Sequence, residues 1–71
     1  MMTHKSSSLI ASQLRHYRRQ KNLTQADLAK KAGISTNYYA RIERVEVAPS
    51  VEILEKLVKA LGVRSSEILP F

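Results

Sequence analysis

Cysteine is absent from this 71-residue chain. No disulfide and no cysteine-ligated metal can therefore hold it together, and the lack fits a reducing compartment. Long apolar runs are absent too. None approaches the ~18 residues that a membrane-spanning helix needs. Met1–Ser8 is polar and has no hydrophobic signal core. The expectation is a protein that is neither inserted in a membrane nor exported, at work in the cytoplasm. Internal repeats and low-complexity tracts are missing. So is alternation of period two bounded by turn signals, which leaves no candidate strand. Glycine and proline occur twice each, at places where a helix stops or starts. Acid is scarce in one half only. Residues 1–41 hold eight Lys or Arg against one acid, Asp27, whereas residues 42–71 hold four basic residues and five Glu. The net charge of +6 is thus +7 on the first half and −1 on the second.

What is present follows from these limits. A chain this short is one domain and buries only about 60% of its unfolded surface. A second subunit is the remaining way to bury more apolar area. With 44% hydrophobic and 25% charged residues, the composition is globular. The one-sided positive field makes a polyanion the expected partner.

Five short helical patterns run along the chain. Ile10, Leu14 and Tyr17 recur at i, i+4, i+7 and place a first helix over about Ser8–Lys21. Met1–Ser8 reads as a flexible tail, with the domain proper at 9–71. Asn22 suits the left-handed position after that helix. Thr24-Gln25-Ala26-Asp27 has the form of a capping box, with Asp in place of Glu, and opens a second helix. Leu28, Ala29 and Ala32 face inward along it, and Gly33 ends it. Ser35 caps a third helix with Tyr39 and Ile42 on its apolar side. Ser50 caps a fourth, whose inward set is Ile53, Leu54, Leu57, Val58 and Leu61 and which Gly62 closes. A last turn spans about Ser65–Leu69, where Pro70 stops it.

The informative block is Gln25–Ile42, QADLAKKAGISTNYYARI. Two helices joined by a short turn can cross steeply only if certain positions stay small. Ala29 is small in mid-helix, Gly33 makes the turn, and Ile34 plugs the corner. Here the chain resembles the Cro/repressor (XRE-type) helix-turn-helix family. The matching pieces are Leu14-Arg15, Arg18, Leu23-Thr24-Gln25, Leu28-Ala29, Gly33-Ile34-Ser35, Tyr39, Ile42-Glu43-Arg44, Pro49-Ser50 and Leu57–Val63, spread over residues 10–69. The resemblance implies an all-α, compact bundle of five short helices of the lambda-repressor-like type, with the helix-turn-helix formed by helices two and three. It implies double-stranded operator DNA as partner, read through the major groove by a homodimer, with no enzymatic activity, cofactor or small-molecule ligand.

Site residues follow from the same resemblance. Thr36, Asn37 and Arg41 fall on the base-reading positions of the third helix. Arg suits guanine and Asn adenine in the major groove. Thr24, Gln25, Ser35, Tyr38 and Arg44 fall on phosphate-binding positions, with the 44–48 loop beside them. Arg18 and Glu43 match a structural ion pair between helices one and three. The dimer interface is expected in the C-terminal region, at Leu61, Val63, Ile68, Leu69 and Phe71, with Leu69-Pro70-Phe71 entering the partner subunit. Three positions depart from the family pattern. Val45 stands where Gly or Asn is usual, and a β-branched residue resists the left-handed conformation, so a different turn is expected there. Arg64 stands in place of the usual Ser cap of helix five. Tyr38 is bulkier than is usual at its position.

Competing readings are weaker. His4 and His16 have no Cys or carboxylate spaced to complete a metal site, and read as exposed side chains. Ser, His and Asp occur without a nucleophile elbow or a glycine-rich phosphate loop, so no catalytic site is expected. Tyr17 and Tyr39 read as core. Arg15, Arg19, Lys21 and Lys30-Lys31 read as a solvated basic face. Phage and plasmid repressors, antitoxin DNA-binding modules and restriction–modification controllers are all small regulators of this shape, the controllers resembling the chain most in length. The alternative is a helical protein-interaction module, such as an antitoxin or polymerase-docking domain.

Overall fold

The computed structural model of the chain describes residues 4–70, of which His4 is placed by its backbone alone. Five helices follow one another: α1 (His4–Gln20), α2 (Gln25–Ala32), α3 (Thr36–Glu43), α4 (Val51–Leu61) and α5 (Ser65–Ile68). No strand occurs among the described residues. α1 begins earlier than its apolar pattern indicated, so residues 4–8 belong to the helix rather than to a tail. Ser7 supplies the reason. It lies one and two turns before Ile10 and Leu14, on the same face, and is buried with them. Met1–Thr3 and Phe71 lie outside the described residues.

Local chemistry sets the boundaries. The Thr24 and Asp27 side chains form a reciprocal capping box at α2, with Asp27 N to Thr24 Oγ1 at 3.0 Å and Thr24 N to Asp27 Oδ2 at 2.9 Å. The backbone hydrogen bond from Thr24 holds the Asp27 carboxyl below the usual range. Ser35 and Ser50 cap α3 and α4 by accepting from Tyr38 N and Ile53 N. α5 starts after Arg64, whose side chain makes no cap but pairs with Glu67 at 3.6 Å.

Three helices stop in the same way. After α1, α2 and α3 a residue enters the left-handed region: Asn22 at φ 57, Gly33 at φ 74, Val45 at φ 60. Each time its N–H and that of the next residue fold back onto the helix. Leu23 N reaches Arg18 O at 3.1 Å, Ile34 N reaches Ala29 O at 2.9 Å, and Glu46 N reaches Arg41 O at 2.9 Å. At Gly33 a Cβ would meet no atom within 4 Å, so backbone conformation alone calls for glycine. Val45 overturns the expectation of a different turn: it adopts the left-handed conformation despite its branched Cβ. Two backbone hydrogen bonds, Val45 N to Ile42 O and Glu46 N to Arg41 O, offset the strain.

The core is a single cluster. Ile10 and Leu14 of α1, Leu28, Ala29 and Ala32 of α2, Tyr39 and Ile42 of α3, Leu54, Leu57, Val58 and Leu61 of α4, and Ile68 of α5 all meet there. α2 packs chiefly on α4, while α1 packs on α3 and α5. Ile34 plugs the corner between α2 and α3 as a half-buried contact to the core. Leu61 and Ile68, expected at the dimer surface, are 2% and 1% exposed. They face this chain's own interior and are unavailable to a partner. The short α5 folds back on α1 and uses Ile68 to close the bundle.

Candidate nucleic-acid interface

α3 has two unlike sides. Tyr39, Ala40, Ile42 and Glu43 are buried against the bundle. Thr36, Asn37, Arg41 and Arg44 are exposed. Asn37, Arg41 and Arg44 recur at i, i+4, i+7, so they form one stripe along the outer face. The base-reading candidates are therefore at the surface, and no core residue competes for their side chains. Thr36 stands at the first turn, next to the Ser35 cap.

The opposite side of α3 is held by a buried carboxylate. Glu43 is 4% exposed. Arg18 Nε donates to its Oε2 at 2.8 Å, and the second arm of the guanidinium reaches Oε1 at 3.3 Å. The Tyr39 hydroxyl donates to Oε2, and Gln25 Nε2 donates to Oε1 at 3.0 Å. Arg15 adds a bond to the Glu43 carbonyl at 3.0 Å. Arg18 also donates to the Leu23 carbonyl at 2.8 Å, in the turn between α1 and α2. One carboxylate thus ties α1, α2 and α3 together. Burial pushes the Glu43 carboxyl up, but the hydrogen bonds from Arg18, Tyr39 and Gln25 outweigh it and hold the group below its usual range. The Tyr39 hydroxyl is pushed far up by its burial and by the neighbouring carboxylate.

The phosphate candidates divide. Thr24 and Ser35 are exposed at the starts of α2 and α3. Their oxygens accept the capping bonds, and their hydroxyl protons stay free to donate outward. Gln25 is half-buried, and its amide nitrogen is committed to Glu43. Tyr38 is half-buried and leans on the core. Arg44 is exposed, but its guanidinium is engaged by Glu46, with Nε to Oε2 at 2.5 Å. Glu46 also pairs with Arg41, at 3.5 Å. This acid, which the sequence does not single out, stands at the end of the stripe.

Arg15, the Tyr39 hydroxyl, the Gln25 amide and Glu46 are the functional groups that sequence reasoning missed. The i, i+4 spacing of Tyr39 and Glu43 is a signal for their bond. Arg15 and Gln25 carry none, because they approach Glu43 only in the folded bundle. Away from α3, His16 is exposed and lies edge-on to Tyr17, with ring centroids 4.9 Å apart.

Of the remaining dimer candidates, Val63 and Leu69 are half-buried. Leu69 lines a shallow, mostly apolar groove between α4 and α5 with Val51, Leu54 and Val58. Val51, at 71% exposure, is the most exposed large hydrophobic side chain among the described residues.

Comparison with known proteins agrees with this geometry. The helix-turn-helix family model HTH_3 matches residues 14–68. An uncharacterised HTH-type transcriptional regulator, MJ0272, of Methanocaldococcus jannaschii is 40% identical over 57 residues, covering 80% of this chain and 86% of its own length. The immunity repressor protein of Bacillus phage phi105 is 38% identical over 60 residues, which are 84% of this chain but 42% of the repressor. The chain thus spans less than half of that relative. Among solved structures, the restriction-modification controller protein C.AhdI from Aeromonas hydrophila superposes with a TM-score of 0.85 at 28% identity, over 89% of this chain and 96% of the controller. The chain belongs to the HTH_3 helix-turn-helix family, the XRE type of the Cro/repressor resemblance, over residues 14–68.

Proposed function

We propose that this chain is a sequence-specific double-stranded DNA-binding transcriptional regulator, which acts as a homodimer on a pseudopalindromic operator. The observation that carries the reading is the two-sided α3. Its outer stripe offers Asn37 and Arg41 to base edges, while Glu43 bolts the inner side to two other helices. A helix so held can lie in the major groove without yielding. Arg41 pairs best with guanine and Asn37 with adenine, and Thr36 adds a methyl or hydroxyl contact. Thr24 and Ser35 clamp phosphates on either side of the groove, assisted by the N-termini of α2 and α3. The basic first half of the chain supplies the attracting field. Its place of work is the cytoplasm.

The second copy is proposed to sit on the α4–α5 groove, through Val51 and Leu69, with the C-terminal region, Val63 included, serving dimerisation. Likeness to a restriction–modification controller and to a phage immunity repressor supports a regulator of one of these two kinds. The test is selection of bound duplexes from a randomised pool, with the mass of the complex measured. A palindromic motif bound by two chains is expected. Affinity should fall with salt at a slope of about −0.9 per phosphate neutralised. Arg41→Ala should relax the preference at one base pair, whereas Ser35→Gly, a change the N-cap tolerates well, should weaken binding to all sequences alike. A chain that selects no motif, and whose affinity for DNA ignores salt, would be an interaction module instead.

A further inference from the structure

The DNA-facing stripe of α3 ends in an acid. Glu46 is half-exposed, and both carboxylate oxygens are used. Oε2 takes Arg44 Nε at 2.5 Å, and Oε1 takes Arg41 Nε at 3.5 Å and the second arm of Arg44 at 3.5 Å. The backbone of Glu46 is tied as well, through its N–H to the Arg41 carbonyl at 2.9 Å. That tie exists because Val45 turns left-handed and brings residue 46 back over the last turn of the helix. A carboxylate on a surface meant for DNA opposes the phosphates. As a pair in open solvent it contributes little stability. Neither field nor fold explains its place. Its geometry does: it is fixed at the backbone, and it restrains a long side chain that otherwise has many rotamers.

We propose that Glu46 is a positioning residue for base recognition, whose carboxylate fixes the guanidinium of Arg41 toward one base edge and withholds Arg44 from the phosphates. The inference rests on the DNA-binding reading above. A bidentate contact from Arg to guanine needs its planar fork aimed in advance, and an aimed fork loses less freedom on binding. Arg44, held by the same carboxylate, adds no sequence-independent grip. Glu46 thus trades affinity for every duplex against preference for one. The test separates Glu46 from Arg41 by a double-mutant cycle.

Wild type, Glu46→Gln, Arg41→Ala and the double variant are each used to select duplexes from a pool with a randomised centre. Binding to the wild-type motif and to its single-base variants is then titrated over a range of salt. Wild-type melting of Glu46→Gln shows that the fold is intact. Glu46→Gln is expected to bind unselected duplex more tightly, with a salt slope steeper by about one phosphate. Its preference at the base pair governed by Arg41 should fall about tenfold, the other positions being unchanged. In the Arg41→Ala background the same change should leave preference unaltered. Equal preference in wild type and Glu46→Gln overturns the proposal, and so does a loss spread evenly over all positions. A wild-type chain that selects no motif defeats the DNA-binding reading itself, which the cycle thereby distinguishes from a failure of Glu46 alone.

Discussion

Val45→Gly should make the protein more stable. Val45 holds φ at 60, in a region where a Cβ crowds the following carbonyl. The conformation costs an ordinary L-residue about 1–2 kcal/mol. Glycine removes that cost but gives back roughly 0.5–1 kcal/mol, because its unfolded chain is freer. The side chain itself contributes little. It is half-buried, yet it is not among the apolar groups packed on the core. The balance is a gain of about 0.5–1 kcal/mol, or roughly 2–8 °C in melting temperature for a domain of this size. Val45→Ala is the control, since it shortens the side chain and keeps a Cβ. Val45→Asn should fall between them, because Asn tolerates the region, as Asn22 does after α1. Thermal melts followed by circular dichroism, with denaturant midpoints beside them, give the order. If glycine proves no more stable than alanine, the valine is not strained and the offsetting hydrogen bonds are misread.

Glu43→Ala should strip a buried arginine of its partner, at a cost of about 3–5 kcal/mol. Total stability for 71 residues is roughly 4–11 kcal/mol, so a melting point lowered by at least ~12 °C is expected; a drop below about 4 °C would contradict the role of the carboxylate as a hub. The same group sets an acid limit. Its folded pKa lies below the ordinary 4.5, so its stabilisation is full above that pH and is lost as pH falls through the folded value. Melting points of wild type and Glu43→Gln should therefore differ at neutral pH and converge in acid, and a gap that stays constant down to acid pH argues against it. With the second copy on the α4–α5 groove as proposed, Val51→Asp should leave each chain folded but separate the subunits in sedimentation, and an unaltered dimer would place the interface elsewhere.

The helix stops and starts were legible because their causes are local. Thr24 with Asp27, Ser35, Ser50, Gly33 and Gly62 each act through neighbours within one turn, so spacing alone reveals them. The start of α1 was not, because a run of serines carries no cap and its burial depends on a turn further on. Ile68 looked like surplus apolar surface near the C-terminus, and only the return of α5 onto α1 turns it inward, whereas Leu61 follows the inward period of α4. Val45 misled in the other direction. Its intrinsic preference argued for a different turn, but the hydrogen bonds that close α3 decide the conformation. Once that turn is made, Glu46 reaches Arg41 five residues earlier, a separation that no regular helix face brings together. On α3 the polar positions could be read from the helical period. Of the distant partners of Glu43, only Arg18 could be named beforehand, through the family resemblance; Arg15 and Gln25, 28 and 18 residues away, carry no local signal.

Because one buried carboxylate joins three helices, recognition and cohesion in this small molecule share a single anchor. Amide protons of the third helix should then exchange with solvent only when the whole bundle opens, with no slower or faster subset among them. On the proposed reading, evolution can swap the outward residues to read another DNA sequence without touching the scaffold. It cannot loosen the anchor by degrees, since a weakened joint unfolds the reader together with what it is mounted on.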